Sequence, residues 1–416
     1  MGNESAAKRA MLRFSLYGFL KNQTYYEPFL ILAFREKGLS FFMIGLLVGF
    51  RGLCINLFEV PSGAVADLYG RRKAMIVSFG SYIASFVVLA TSQVLWHLFA
   101  AMFLFSLGEV FRTGTHKAMI FDWLRAHGRA DERTQVYGYT RSWSKMGSAV
   151  AAIIAAALIF WRGRYSDVFW LCLIPYAANI VNFLGYPPET EGARTADKER
   201  RVVGHVWAAA RQAWENRQQR RLILESTGFE GTFEIAKDYL QPTIEMAAMG
   251  LPILVGLADR QRTALLVGAV YFVLYVLSSV ASRQAHRTAR RCGGDDATAH
   301  AAWIAVLASY GALIPALYLG WSAVAIPIFV LIYLAQNIWR PVLVSRLNAV
   351  SDPALAATTL SIESQTKSLY AVAMAPALGL AVDRLGLWPL GIVGAAAAAL
   401  ALMTRTAATP TTSRGD

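Results

Sequence analysis

Long apolar runs alternate with short polar segments over almost the whole chain. Twelve of these runs are long enough to cross a bilayer, which takes about 20 helical residues. The runs are residues 13–34, 41–62, 74–93, 95–124, 137–160, 168–187, 222–250, 263–281, 301–319, 323–346, 355–382 and 387–403. The pattern predicts an all-α polytopic membrane protein with twelve transmembrane helices, six before a polar stretch and six after it.

The polar stretch divides the chain into three predicted parts: a helical bundle at 1–187, a linker at 188–221 and a second bundle at 222–416. Within the linker, apolar residues recur at helical spacing opposite a set of arginines. The apolar residues are Val203, Val206, Trp207, Ala210 and Trp214, and the arginines are Arg200, Arg201 and Arg211. This spacing predicts an amphipathic helix that lies on the membrane surface.

The chain is 56% hydrophobic and carries a net charge of +13. In a soluble protein this charge would suggest a nucleic-acid partner. Here the basic residues fall between apolar runs, so we expect them to face anionic lipid rather than nucleic acid. With both termini placed in the cytoplasm, 24 Lys and Arg lie in cytoplasmic segments and 7 in outer loops. This asymmetry predicts that both termini are cytoplasmic.

The most specific stretch is residues 63–73, which join two apolar runs. Gly63 and Gly70 allow positive φ angles and close approach of the backbone. Asp67 lies where a helix end would expose unpaired N–H groups, and Arg71 lies where basic residues mark the cytoplasmic surface. An ordinary basic turn at the membrane edge would explain the arginines but not the Gly/Asp/Gly spacing.

This stretch resembles the signature loop between helices 2 and 3 of the major facilitator superfamily, G-x-x-x-D-x-x-G-R-[RK]-[RK]. Asp67, Gly70, Arg71 and Arg72 match it position by position. Further details resemble bacterial drug/proton antiporters of the inner membrane. The resemblance implies two pseudo-symmetric six-helix bundles, with helices 1, 4, 7 and 10 lining a central cavity. It also implies that the loop, including Gly63, braces helix 2 against helix 11 and takes part in gating.

Short similarities between the two halves favour internal repeats. The segment Tyr25–Pro28 resembles Tyr239–Pro242, and Arg112 has a counterpart in Arg340. Two parallel six-helix repeats are common in transporters. The second half carries no recognisable copy of the signature loop, because residues 282–296 hold arginines without its Gly/Asp pattern.

Charged residues also occur inside predicted helices 1, 2, 4, 5, 7, 10 and 11. A lone charge near the bilayer centre costs roughly 2.5–3.5 kcal/mol on insertion scales, so such residues rarely face lipid. We expect them to line a hydrated cavity or to pair with one another. Structural ion pairs and functional sites give the same sequence pattern, so both interpretations remain open for each residue.

Glu27 is the first candidate for a proton-coupling carboxylate, and Glu109 and Glu234 are further candidates. Glu27 lies midway along predicted helix 1 beside Pro28, which perturbs a helix. Burial at such a position favours the neutral form of a carboxyl group, which suits a group that binds and releases protons.

The residues predicted to bind substrate lie on helices 1, 4, 5, 7, 10 and 11. Arginines among them suit carboxylate or phosphate groups, because a guanidinium donates parallel hydrogen bonds. Tyrosines among them can stack on a flat or cationic molecule. The predicted set is Lys21, Tyr25, Tyr26, Arg112, Arg141, Lys145, Glu230, Gln241, Asn337, Arg340, Glu363 and Lys367.

The sequence contains no H-E-x-x-H, Walker A or G-x-S-x-G motif, and its three cysteines lie far apart. We therefore expect a non-enzyme with neither cofactor nor metal site. The leading hypothesis is a monomeric secondary transporter that works by alternating access and is coupled to protons. Its substrate would be either an exported drug-like or toxic compound or a polar or anionic metabolite. The alternative is a transporter-like sensor or a membrane protein that acts on lipid.

Overall fold

The computed structural model describes residues 2–129, 132–191, 215–250, 252, 255–351 and 356–406. These residues are almost entirely helical, and no β-strand occurs among them. Nine helical segments in this part of the chain are long and apolar enough to cross a membrane, and Pro389–Met403 is a shorter apolar helix. The predicted all-α polytopic membrane fold is confirmed. The predicted amphipathic linker helix falls within residues 192–214, which lie outside the described residues.

A membrane-spanning chain favours helices, because in the bilayer every backbone N–H and C=O must form its hydrogen bond inside the protein. In the first half the described helices are α1 (Gly2–Lys21), α2 (Leu30–Glu36), α3 (Phe41–Tyr69), α4 (Arg71–Thr91), α5 (Leu95–Arg112), α6 (Thr115–Ala126), α7 (Arg133–Arg162) and α8 (Asp167–Leu184). In the second half they are α9 (Arg217–Ser226), α10 (Thr232–Ala236), α11 (Leu240–Gly250), α12 (Asp259–Cys292), α13 (Asp295–Tyr318), α14 (Ser322–Val350), α15 (Ala356–Leu385) and α16 (Pro389–Thr406).

The predicted first and seventh transmembrane helices are interrupted rather than continuous. The first passes from α1 to α2 through a 3₁₀ turn at Glu27–Phe29, where Pro28 has no N–H to donate. The seventh contains a π turn at Thr227–Gly231 and a 3₁₀ turn at Lys237–Tyr239. Such breaks are tolerated at membrane depth where protein or water surrounds the freed backbone groups.

Two other predicted boundaries also differ from the structure. Gly114 interrupts the predicted fourth helix between α5 and α6, because its φ of 79° lies in the left-handed region that favours glycine. In the second half, α12 continues to Cys292, so most of the predicted polar segment 282–296 is helical. Its Ala, Arg and Gln residues form helices well even though they are too polar for a membrane run.

The prediction of a turn over residues 63–73 is wrong for most of that length. Helix α3 continues through Gly63 to Tyr69, and Gly70 is the residue that reverses the chain, with a φ of 103°. Gly63 is exposed within the helix, and no neighbouring atom lies within 4 Å of the position of a Cβ. Alanine and leucine between the two glycines favour helix, so α3 ends only where glycine permits the reversal.

The two halves pack together at the membrane end opposite the N-terminus, which we call the closed end. There α3 crosses α15, and a Cβ on Gly45 would lie 2.5 Å from a backbone oxygen of α15. A Cβ on Gly379 would overlap the Phe41 carbonyl in the same way. The Asp383 carboxylate accepts hydrogen bonds from the N–H groups of Phe41 and Phe42 at 2.9 and 2.8 Å. Small residues thus let the two membrane helices approach closely.

Candidate functional site

A cavity of about 490 Å³ lies between the two halves, and we call it the central cavity. The first half contributes α3, α5 and the break in the first transmembrane segment. The second half contributes α10, the 3₁₀ turn that follows it, and α15. The charged lining residues are Glu27, Arg51, Glu59, Glu109, Glu234, Lys237 and Lys367. A cavity of this volume is large enough to hold a small molecule.

All three predicted proton-coupling carboxylates line the central cavity, and two of them have a basic partner. Glu109 forms an ion pair with Arg112, one helical turn later, and accepts a hydrogen bond from the Tyr82 hydroxyl. Glu234 forms an ion pair with Lys237 at 2.7 Å. Each of these carboxylates therefore has its compensating charge on its own helical segment.

Glu27 differs from the other two, because the described partners of its carboxylate are hydroxyl groups and not a basic side chain. The Thr24 Oγ1 donates to Glu27 Oε2 at 2.8 Å, and Tyr275 of α12 lies nearby. A hydroxyl can donate to an ionised carboxylate or accept from a protonated one. The surroundings of Glu27 can therefore accommodate either protonation state.

The side-chain amide of Gln241 connects the second half to the interrupted helix of the first. Its Nε2 donates to the Glu27 carbonyl oxygen at 2.9 Å, and its Oε1 accepts from the Ile31 N–H at 2.8 Å. In a continuous α-helix these two backbone groups would bond to each other, because residues i and i+4 pair. The fully buried Gln241 amide replaces that bond. We call this connection the Gln241 bridge.

A second cavity of about 320 Å³ lies within the first half, between α1, the α5–α6 junction and α7. We call it the cationic cavity, because its lining includes Lys21, Arg112, Lys117 and Lys145. No Asp or Glu occurs among the described residues that line it. Its hydroxyl- and amide-bearing lining residues are Tyr17, Asn22, Thr140, Ser144 and Ser148.

Predicted substrate residues of the second half form a network of ion pairs. Arg340 pairs with Glu363 at 2.8 Å, and the Ser226 hydroxyl donates to the same carboxylate. Lys367 lies 3.7 Å from the Glu230 carboxylate and also lines the central cavity. Because Glu363 is fully buried, its pair with Arg340 fits the structural interpretation, whereas Lys367 faces the cavity.

Other predicted site residues lie elsewhere or outside the described part. Tyr25 is buried in the core and is not part of the lining of either cavity. The Asn337 amide donates to the Tyr333 carbonyl of its own helix at 2.9 Å. The side chains of Asp67 and Arg141 are outside the described residues.

The described residues of the signature turn contact the first half. Arg71, at the start of α4, forms an ion pair with Asp122 of α6. Gly70 lies against the Glu191 carboxylate, whose Oε2 would be 2.7 Å from a Cβ on that glycine. These contacts fix the α3–α4 turn against α6 and the segment after α8. The predicted bracing against helix 11 stays a prediction.

Arg51, Glu59 and Lys237 line the central cavity but are missing from the predicted site residues. The signal for the first two was present in the sequence. They are eight residues apart in one helix, so they lie on the same face about two turns apart. Lys237 follows Glu234 by three residues, a spacing at which side chains meet on a helix.

Residues 18–362 match the sequence profile of the Major Facilitator Superfamily. The chain belongs to this superfamily. Two uncharacterized transporters of Buchnera aphidicola are similar to parts of it. The one from subspecies Acyrthosiphon pisum is 22% identical over 130 residues, which is 31% of this chain and 32% of the relative. The one from subspecies Schizaphis graminum is 27% identical over 139 residues, which is 32% of this chain and 34% of the relative. The chain thus spans about a third of the length of the curated relatives it matches.

Solved transporters share the fold of this superfamily member over nearly its whole length. A mutant of the nucleoside transporter NupG has a TM-score of 0.78 at 12% identity and covers 96% of this chain and 99% of its own. A POT family transporter in complex with 5-aminolevulinic acid has a TM-score of 0.73 at 14% identity, covering 96% of both chains. The human organic anion transporter MFSD10 has a TM-score of 0.61 at 15% identity, covering 95% and 98%. These similarities show the transporter fold.

Proposed function

We propose that this superfamily member is a proton-coupled secondary transporter of a small polar solute. The observation that carries the proposal is the central cavity, which places Glu27, Glu109 and Glu234 with three basic side chains between the two halves. In transporters built from two repeats, substrate and coupling-ion sites lie at the repeat interface near the middle of the membrane. Charged side chains at this depth face hydrated pathways rather than lipid.

The charged lining favours a polar metabolite over an apolar, drug-like compound. Charges of both signs cost free energy to bury unless a ligand or partner compensates them. A polar or zwitterionic solute can exchange with or add to the ion pairs of the lining, whereas an apolar solute displaces water from the charged groups without giving a hydrogen bond in return. The similar solved proteins include a nucleoside transporter, an organic anion transporter and a transporter in complex with 5-aminolevulinic acid, and nucleosides, organic anions and 5-aminolevulinic acid are all small polar solutes.

Glu27 is the proposed proton carrier. Its carboxylate is bonded to a hydroxyl that tolerates both protonation states, and its own carbonyl belongs to the Gln241 bridge. Proton binding at this carboxylate removes a negative charge from the same residue whose backbone carbonyl joins the halves. In this mechanism the proton enters from one side of the membrane, binds the carboxylate, and leaves to the other side after the halves rock.

The test measures proton movement across liposomes that contain the purified protein and a pH-sensitive dye. The solutes added are amino acids, small peptides, organic acids and drugs. Glu27→Gln is compared with Glu189→Gln, which removes an exposed carboxylate outside both cavities. We expect at least one polar solute to drive proton movement in the wild type and in Glu189→Gln but not in Glu27→Gln. Exchange of labelled solute without a gradient should persist in Glu27→Gln.

Three outcomes would contradict parts of this proposal. Unchanged proton movement in Glu27→Gln would show that the carrier is another group. Solute transport that is indifferent to a collapsed proton gradient would exclude proton coupling. Tight solute binding without any transport would favour the sensor alternative.

A further inference from the structure

The cationic cavity brings four basic side chains together, and no carboxylate occurs among the described residues that line it. Lys21 and Arg112 line the same cavity, and the Lys21 ammonium is repelled by Arg112 and Lys145 and attracted by Glu109 and Glu27. Among the described residues, Lys21 has no carboxylate within ion-pair distance. The two carboxylates that act on Lys21, Glu109 and Glu27, both line the central cavity instead, and Glu109 pairs with Arg112 from that side. Like charges held together at membrane depth are costly unless an anion joins them.

One wall of the cationic cavity can donate hydrogen bonds to such an anion. Thr140, Ser144 and Ser148 follow one another at intervals of four residues on α7, so they share one helix face. The Ser144 and Ser148 hydroxyls donate to carbonyl oxygens of their own helix at 3.4 and 3.5 Å, and rotation of these long bonds would turn each hydroxyl toward an anionic oxygen. The wall thus provides neutral donors opposite the basic side chains.

The back of the cationic cavity is closed by aromatic rings. The rings of Tyr17 and His116 stack with their centroids 3.6 Å apart, and His116 Nε2 lies 2.9 Å from the Tyr186 hydroxyl. His116 is 8% exposed. A buried, low-dielectric wall of this kind strengthens the attraction between an anion and the cations that face it.

We propose that the cationic cavity binds the anionic group of the transported solute, so that the substrate is a small organic anion bearing a carboxylate or phosphate. This inference rests on the proposed transport function. Lys21, Arg112 and Lys145 hold the anionic group, and the α7 hydroxyls complete its hydrogen bonds. The rest of the solute extends toward the central cavity, because Arg112 lines one cavity and its partner Glu109 lines the other.

The same geometry connects solute binding with proton binding. Arg112 cannot give its full set of hydrogen bonds to a bound anion while it is paired with Glu109. The anion therefore competes with Glu109 for Arg112, and a Glu109 carboxylate released from the guanidinium becomes available to a proton. Removing the charge of Glu109 should then strengthen anion binding rather than weaken it.

The experiment measures anion affinity by isothermal titration calorimetry, with the full-length protein in nanodiscs of phosphatidylcholine, a lipid without net charge. The probes are citrate and glucose 6-phosphate, with glucose as the neutral control. We expect at least one anion to bind, and Lys21→Gln to weaken it by tenfold or more, which corresponds to about 1.4 kcal/mol. Lys21→Arg should retain most of the affinity, and Glu109→Gln should increase it. Arg384→Gln, which removes an exposed charge at the far surface, should leave it unchanged.

Several results would overturn the inference. Glucose could bind as tightly as the anions, the anion affinity could be unchanged in Lys21→Gln, or Glu109→Gln could bind the anions more weakly than the wild type. Loss of anion affinity when phosphatidylglycerol is added, together with binding of its soluble glycerophosphate headgroup, would assign the cavity to lipid instead of solute. If neutral solutes drive proton movement and anions do not bind, the anion inference fails while the transport proposal stands. If anions bind as expected but nothing crosses the membrane, the transport proposal fails while the anion site stands.

Discussion

The Gln241 bridge should control how readily the closed end opens. Gln241→Leu keeps a similar side-chain size but removes both hydrogen bonds to the first half, at the Glu27 carbonyl and the Ile31 N–H. Hydrogen bonds between membrane helices contribute about 0.6 kcal/mol each on average, with a maximum of about 1.7. Two such bonds therefore stabilise the closed end by about 1–2 kcal/mol. At 1.4 kcal/mol per tenfold change, the variant should raise the ratio of open to closed molecules by about five- to thirtyfold.

Distances between spin labels on the two halves measure this ratio. Labels attached through Trp96→Cys and Leu385→Cys would sit on exposed positions of the first and second half, in a chain without its native cysteines. We expect Gln241→Leu to shift population from the shorter to the longer label distance. The matched control is Gln336→Leu, because the Gln336 amide bonds to Glu230 within the second half at 3.3 Å.

An unchanged distance distribution in Gln241→Leu would refute the reasoning. An equal shift in Gln336→Leu would refute it too, because the loss of any side-chain amide between the helices would then explain the effect. Gln241→Glu gives a further check. Its carboxylate can still accept from the Ile31 N–H but repels the Glu27 carbonyl, so when ionised it should open the closed end at least as far as Gln241→Leu.

Four further substitutions test the helix packing and one group of ion pairs. Gly45→Ala places a methyl group 2.5 Å from a backbone oxygen of α15, so we expect it to destabilise the closed end by about 1–3 kcal/mol in the same label assay. Gly80→Ala has free space around its Cβ and should instead stabilise its helix by about 0.5–1 kcal/mol in thermal unfolding. Arg346→Ala removes the ion-pair partner 3.1 Å from the buried Glu225 carboxylate, which keeps its hydrogen bond from Trp303, and should cost about 3–5 kcal/mol and lower the unfolding midpoint clearly. Asp296→Ala removes the exposed partner of the same arginine and should cost less than about 1 kcal/mol; equal losses in the two variants would contradict this account.

The apolar pattern predicted the membrane helices because a bilayer leaves the backbone few alternatives to a helix. The break at Glu27–Phe29 was not predictable in the same way. Pro28 indicates that the helix is perturbed there. The break also depends on the Gln241 amide, which accepts a hydrogen bond from the Ile31 N–H although the two residues are 210 positions apart in the chain. The sequence predicts local helix propensity, but it does not predict a hydrogen-bond partner such as Gln241 that comes from the other half of the protein.

In the candidate site, too, the sequence predicted local features but not the contacts between helices. Charges at membrane depth pointed correctly to helices that line the central cavity, including those that carry Glu27 and Glu109. Which charges pair was not decided by spacing alone, since Glu363 bonds to Arg340 on a different helix. Arg51 and Glu59 share a face of α3, so a search for charges on one face of each helix would have found them.

The length of α12 has a mechanical consequence. It contains 34 residues, which is about 51 Å at 1.5 Å per residue, whereas the hydrocarbon core is about 30 Å thick. Near its first turn, Arg260 contacts Glu36 of the other half at 3.1 Å, and the far end carries Arg290 and Arg291. Because the helix is continuous, a tilt of about 10° about its first turn would move the far end by about 9 Å. Helix α12 is thus a rigid lever that turns a slight opening of one surface into a large displacement at the opposite one.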